Sequence, residues 1–441
     1  MVAANLVRKI KLFSLTNIVI ADMIGVGIFT TSGLLLAQLH DPLLLLILWV
    51  VGGAIAFSGA LSYGELGANF PRAGGDYAFL SELFSPLAGF LSGWVSFLVG
   101  FSAPVAATSL AFSEYLVRTL PDMYVPAEPG MVKKLVAIAV VVFFTTTHYF
   151  GIRSGTGTQN FLTGLKLFLI ALLVFAGFAF GEGSLDHFIL SEAEGSNPAN
   201  LKSIGLSLMW IMFAYSGWNA STYVGSEVVN PRKNIPRSLL LGTGVVTILY
   251  LLLNVLYVYA LPPGDMKGVI SIGGEATNFL FNRTMDQVFS LFIALILLSA
   301  ISALIMIGPR VYYAMAHSGH FFSQAKKINR ALVPGVSILM QSGLAIVYIL
   351  TGTFEQIITF LSFSLGIFPI LAVAGVFRLR IMNQSGLKMP GYPVIPAFFI
   401  LASFMILVLT FMERPVESSI ALGIIIAGIP VFYLLRRRRV H

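Results

Sequence analysis

Two charges and two sets of helix breakers stand inside otherwise apolar segments of this chain. Asp22 and Lys166 both fall within such segments. A charged side chain there costs about 2.5 to above 10 kcal/mol, depending on how the cost is measured. Gly25 and Gly27 flank Val26 in NIVIADMIGVGIFTTSG, and Ser216-Gly217 with Asn219 interrupt MWIMFAYSGWNASTYVGSE. A helix broken at membrane depth frees amides at the start of one half and carbonyls at the end of the other, and it is tolerated only where these face protein or a polar cavity. Free amides at a positive helix end suit a carboxylate, and free carbonyls suit an ammonium group. The chemistry offered is therefore reversible capture of a zwitterion or an amine. The amides of Gly25, Val26 and Gly27 are expected to hold a carboxylate. The carbonyls of Met23 and Ile24, with Phe213, Ala214 and Ser216, are expected to hold an ammonium. The alternative for each glycine pair is helix packing.

The neighbouring residues sharpen this picture. Asp22 lies three residues before Gly25, in the last turn of the first half-helix, where the dipole is already negative. It needs Lys166, a substrate ammonium or a proton as partner, or it forms a purely structural pair with Lys166. Lys166 sits about ten residues into its segment, too deep for easy snorkelling. Phe213 falls at the break, directly before Ala214-Tyr215, or is a lipid- or core-facing ring among 36 Phe. Trp218 and Asn219 either line it or pack the second half-helix. Trp94, Phe97 and Phe101 form a stripe at helical spacing that reads as core.

The elements that must position these residues follow from composition. Of 441 residues, 57% are hydrophobic and 10% charged, with a mean hydropathy of +0.88. A soluble domain carries about 25% charged residues, so the chain is an integral membrane protein. A crossing helix needs about 20 apolar residues, and that criterion predicts twelve spans: 12–39, 42–68, 85–117, 132–150, 156–180, 201–229, 237–261, 287–316, 332–352, 355–379, 394–412 and 417–435. The absence of a period of two argues against a β-barrel. With both ends placed in the cytoplasm, 19 of the 27 Lys and Arg residues fall on the inner side and 7 on the outer, leaving Lys166 within a span. The net charge of +8 is thus explained by orientation in the plasma membrane and not by nucleic acid. The acidic segment 181–200 suits the outer surface. The first apolar segment is too long for a signal-peptide core and is expected to be retained.

Interruptions in spans 1 and 6, five spans apart, point to two inverted repeats around a central site. The expected organisation is repeat one at about 12–180, repeat two at about 201–380, two appended helices at about 394–435 and a basic tail at 436–441. Other chemistries find little support. The chain has no Cys, so thiolate metal sites and Cys nucleophiles are excluded. There is no G-x-S-x-G or H-E-x-x-H motif, and Asp22 is the one Asp clearly within a span, so an intramembrane enzyme is not expected. His317 and His320 read as a solvated loop and not a metal site, and no cofactor is expected. Glu65 and Glu227, the latter beside Arg232, suggest ion pairing at an inner gate.

At these residues the chain resembles the amino acid–polyamine–organocation superfamily, closest to prokaryotic amino acid permeases and the L-amino acid transporter branch. The resemblance rests on IGVGIFTTSG, SYGELGANFPRAGGDYAFLSELF, GIRSGTGTQNFLTGLK, FAYSGWNASTYVGSEVVNPRKNIPRS and RVYYAMAHSGHFF, which together cover most of residues 10–380. It implies an all-α LeuT-like five-plus-five inverted repeat with spans 1 and 6 broken, a central site on the two break motifs, and Phe213 as an aromatic gate over that site. In sodium-coupled members of this fold a cation bridges spans 1 and 8. In many sodium-independent members a span-five lysine takes a similar place, and Lys166 in QNFLTGLK matches it. The resemblance therefore implies sodium-independent secondary transport of amino acids, with Lys166 on span-one carbonyls and protons or exchange as the coupling. In this fold the position matching Asp22 is often uncharged, which leaves amines, polyamines or cationic amino acids as alternative substrates. A membrane sensor that does not transport is the remaining reading.

Overall fold

Helix boundaries follow the local chemistry of the chain closely. Asp41 accepts hydrogen bonds from the amides of Leu43 and Leu44, with Pro42 at the first helical position. Ser85 does the same for Ala88 ahead of Pro86. Asn200 caps through Ser203 and Asn282 through Met285. Short polar side chains that satisfy first-turn amides, followed by Pro where its missing N–H costs nothing, start helices firmly. The computed structural model describes residues 7–119, 129–189, 199–269, 271–351 and 354–437. The end of the expected basic tail and 190–198 of the acidic segment lie outside these.

The protein is an all-α membrane protein, with no strand among the described residues. Nine described helices are long and apolar enough to cross a membrane, and Leu201–Ala214 and Gly335–Thr351 are shorter apolar helices. With Phe354–Ile381, the helical segments follow the order of the twelve expected spans. Span 1 comprises Leu12–Met23 and Gly27–Leu39, so its break falls at the expected glycines. Span 6 differs from expectation. Its helix stops at Ala214, and the segment from there to Glu227 contains only the 3-10 turns Ala220–Thr222 and Gly225–Glu227. Polar Ser216, Asn219, Ser221 and Thr222 compete for backbone hydrogen bonds there, and Gly217 has a φ of +101°. Span 3 contains a π-helical turn, Ser96–Phe101. Span 8, Arg283–Ile307, is followed by Pro309–His317. Two short helices, Asp76–Leu83 and Ile272–Leu280, lie between spans and were not expected from hydropathy.

Spans 1, 2, 3, 7 and 8 form the centre of the bundle, with close pairings between 2 and 7, 3 and 8, and 1 and 7. Span 5, Ile152–Phe180, shows how a membrane helix is divided between two environments. Phe161, Phe168 and Phe175 recur every seven residues and are 69%, 63% and 63% exposed. On the opposite face Gln159, Thr163, Lys166 and Ile170 are buried. That spacing is the stripe of a 3.6-residue helix turned inside out, with apolar rings toward lipid and polar groups toward the core.

Candidate functional site

The two breaks meet. A cavity of about 160 Å³ is lined by Asp22, Met23, Gly25, Val26 and Gly27 of span 1 and by Phe213, Ala214, Ser216, Gly217, Trp218 and Asn219 of span 6. Of the residues expected at the site, only Ile24 and Lys166 do not line it. Both lie directly behind it, fully buried.

Close backbone approach explains the glycines. A Cβ on Gly27 would stand 2.6 Å from the Ala214 Cα, and one on Gly217 would stand 2.7 Å from the Asp22 carbonyl carbon. These two glycines let the breaks touch. Gly25 is different: a Cβ there would meet only the Ala300 Cβ, at 3.9 Å. Gly25 therefore leaves open space beside the cavity, whereas Gly27 is a packing residue. The Gly25 amide turns back to the Met23 carbonyl at 2.9 Å, and the helix resuming at Gly27 leaves its first amides without intrahelical acceptors.

On the carbonyl side the acceptors are shared with the protein. Lys166 Nζ donates to the carbonyls of Ala21 at 3.1 Å and Ile24 at 2.5 Å. The Tyr250 hydroxyl of span 7 lies 2.6 Å from the Met23 carbonyl and 2.9 Å from that of Ala214, bridging the two breaks. Each carbonyl oxygen has two lone pairs, so Ala214 keeps acceptor capacity toward the cavity, whereas Met23 is met by both the Tyr250 hydroxyl and the Gly25 amide. Sequence reading missed Tyr250, because one tyrosine among the apolar residues of TILYLLLN carries no motif. Lys166 and Asp22 are both present at the break, but among the described residues no ion pair joins them. Asp22 lines the cavity half-buried, and its buried Oδ1 has no hydrogen-bond partner.

Below Lys166 a polar cluster ties spans 1, 5 and 8 together. Gln159 reaches the Ser299 carbonyl and hydroxyl at 3.2 Å, and Thr163 lies 3.3 Å from the Ser299 hydroxyl. Asn160 bonds Asn17 and Ser14. Ser302, one turn from Ser299, pairs with buried His148 at 2.9 Å. Of the aromatic stripe in span 3, only Phe101 reaches the cavity, where the π-helical turn displaces it against the Tyr223 ring. Trp94 donates to the Ile424 carbonyl and Phe97 packs on Tyr312 and Phe321. Trp218 is wedged between the rings of Tyr63 and Phe399, and Asn219 donates to the Tyr223 hydroxyl at 3.1 Å.

Ion pairs stand at both ends of the bundle. At the end that carries the N-terminus, Glu227 pairs with Arg310 of the helix after span 8 at 2.8 Å, not with its sequence neighbour Arg232. The Glu227 carbonyl also accepts the amides of Lys9 and Ile10 at 2.9 Å. Glu65 pairs with Arg380 of span 10 and accepts the Met389 amide. At the opposite end Arg118 joins Asp286, Glu275 and Ser271. Among the described residues no cluster of His, Asp and Glu could hold a metal ion.

A bundle with two touching breaks, a cavity between them and ion pairs at both ends is what a carrier of small zwitterions requires. Comparison with known proteins agrees. The amino acid permease family model matches residues 10–434. The chain is similar to mouse b(0,+)-type amino acid transporter 1, with 27% identity over 98% of this chain and 88% of the relative. It is similar to human large neutral amino acids transporter small subunit 2, with 29% identity over 97% and 80%. Mouse Asc-type amino acid transporter 1 is 29% identical over 97% and 81%. The chain belongs to the amino acid permease family.

Proposed function

We propose that this protein is a sodium-independent secondary transporter that moves amino acids by alternating access, either with protons or by exchange. The single observation behind this reading is one cavity lined by both helix breaks. The first amides after the span-one break hold the substrate carboxylate, and the Ala214 carbonyl with Ser216 receives its ammonium, the Met23 and Ile24 carbonyls being engaged by Tyr250, the Gly25 amide and Lys166. Phe213 gates the cavity. Lys166, on the carbonyls of Ala21 and Ile24, does the work of a bound sodium ion: it places one positive charge on the end of the first half-helix. Spans 1–5 and 6–10 are inverted repeats, and both termini face the cytoplasm of a cell bounded by this membrane.

Uptake of radiolabelled amino acids into proteoliposomes tests this. Wild-type uptake should be equal in sodium and choline media, and Lys166→Ala should abolish or uncouple it while the protein stays folded. A strict sodium requirement, or full uptake by Lys166→Ala, would overturn the assignment.

Asp22 favours a second reading on substrate range. With no partner on its buried Oδ1, it strengthens the cation subsite for ligands bearing a strong or additional amine. Asp22→Asn should then weaken the best amine-bearing ligand at least tenfold, about 1.4 kcal/mol. Unchanged affinity for that ligand in Asp22→Asn would remove this role.

A further inference from the structure

A second carboxylate lines the same cavity, and no role has been given to it above. Asp76 opens the short helix Asp76–Leu83 between spans 2 and 3 and is 6% exposed. It is held from two sides. The Tyr63 hydroxyl of span 2 donates to Oδ1, and the Tyr223 hydroxyl, beyond the span-six break, donates to Oδ2 at 3.3 Å. Tyr223 in turn receives the Asn219 amide, and its own carbonyl accepts the Gly74 amide at 3.1 Å. Gly74 and Gly75 take φ values of +116° and +50° to reach this point, and a Cβ on Gly75 would collide with the Tyr223 ring. Asp76 thus connects the loop after span 2 to the break of span 6.

Among the described residues nothing positive compensates it. The charges on the surrounding elements are committed elsewhere: Arg380 to Glu65, Arg310 to Glu227 and Arg72 to Glu82. Arg378 lies over the Phe84 ring, His317 packs edge-on against Tyr313, and His320 lies 3.0 Å from the Tyr77 hydroxyl. On the cavity side the only other carboxylate among the described residues is Asp22, and none of their Lys, Arg or His side chains lines that space. A buried carboxylate bonded by two neutral hydroxyls, with no cationic side chain in reach among the described residues and a face on the cavity, is a site for a cation that comes and goes. The smallest such cation is a proton.

We propose that Asp76 is the proton-binding residue of the transport cycle, and that its protonation loosens one of the two tyrosines that tie the loop after span 2 to the span-six break. The inference rests on the transporter reading above. An ionised carboxylate accepts from both hydroxyls. A protonated one turns one oxygen into a donor and a poorer acceptor, so the hydrogen bond from Tyr63 or Tyr223 to that oxygen weakens or reverses. Burial pushes the Asp76 carboxyl up to about 6, against the smaller downward pull of the two tyrosine hydrogen bonds. The folded protein therefore holds this proton more tightly than the unfolded chain. Its contribution to stability is greatest below the unfolded value of 3.8, declines as pH rises toward about 6, and is level above.

Infrared titration of the purified protein tests the site without relying on transport. The wild type should show a protonated-carboxyl band that disappears as pH rises through about 6, and Asp76→Asn should lack it. Uptake of a mixture of radiolabelled amino acids, with an internal pH dye, tests the role. Wild-type uptake should fall at least fivefold from pH 5.5 to 8 and acidify the vesicles, and Asp76→Asn should lose that slope. If Asp76→Asn does not fold, Tyr63→Phe and Tyr223→Phe should each shift the wild-type profile toward alkaline pH, because each removes a donor to the ionised form. Absence of the band, a wild-type profile in Asp76→Asn, or unmoved profiles in both tyrosine variants would overturn the proposal. Loss of lysine or putrescine binding in Asp76→Asn with the pH profile intact would make it a substrate contact and overturn it equally. A titrating band in a protein that takes up no amino acid would instead count against the transporter reading.

Discussion

The two breaks at the centre of the molecule are built differently. In span 1 only Ile24 to Val26 leave the helix, and the chain resumes at Gly27 for another 13 residues. In span 6 the helix ends at Ala214 and no α-helix follows before Pro231. Lys166 sits on the carbonyls of the first break, and a positive charge at a helix C-terminus offsets the dipole where it is most exposed. Among the described residues no Lys or Arg side chain bonds the second break. Its chain is held by side chains instead: Asn219 to Tyr223, Ser221 to Ser238 at 2.7 Å, and Tyr250 to the Ala214 carbonyl. The contrast separates two ways of offering polar groups inside a membrane. Span 1 presents backbone at two facing helix ends, which suits the invariant parts of an amino acid. Span 6 presents varied side chains, which suits discrimination.

Substitutions should act unequally on the two breaks. The largest effect is expected from Gly217→Ala, where a residue at φ +101° would also press on the Asp22 backbone. Strain of this kind costs about 1–3 kcal/mol before the collision is counted, so thermal stability should drop markedly and ligand binding with it. Wild-type stability in this variant would show that the breaks do not pack as described. Next comes Lys166→Met, which leaves two carbonyls of span 1 without their donor at about 1–3 kcal/mol each. Hydrogen exchange should rise around residues 21–27 and not around 214–219. Equal rises at both would erase the difference between the breaks. Tyr250→Phe should be milder, about 1 kcal/mol, and should loosen both breaks together because its hydroxyl bridges them. Ser216→Ala should leave stability within about 0.5 kcal/mol and alter only the preference among amino acids. A large fall in melting temperature there would mean that Ser216 is structural.

Much of this was legible in the chain. Twenty apolar residues per crossing is a constraint that the sequence states directly, so the order of the spans and the break at Gly25–Gly27 could be placed. Lys166 was conspicuous for the same reason, since an ammonium in an apolar segment demands acceptors, and the break supplies them. The rest depends on register between distant segments. That Glu227 meets Arg310 and not Arg232, or that Glu65 meets Arg380, follows from how spans 6, 8, 2 and 10 are stacked, which no local pattern encodes. Asp76 lay in GGDYAFL, outside every span, and read as loop. Only packing shows that two positive-φ glycines carry it back to the cavity. The loss of helix after Ala214 was hinted at by the polar run from Ser216 to Thr222, but apolar Trp218, Tyr223 and Val224 kept the hydropathy high enough to suggest a continuing span.

The claim that the span-one break is the substrate site meets its most direct test at Gly25. A side chain there has room in the fold, with only the Ala300 Cβ nearby at 3.9 Å, so Gly25→Leu fills the cavity without breaking the contact between the two breaks. Calorimetric titration of the purified protein in sodium-free buffer, with each common amino acid in turn, is the measurement. The wild type should bind at least one of them without sodium, and Gly25→Leu, folded by its thermal transition, should bind that ligand at least a hundredfold more weakly, about 2.7 kcal/mol. Equal affinity in the two proteins, or wild-type binding that appears only when sodium is added, would contradict the account.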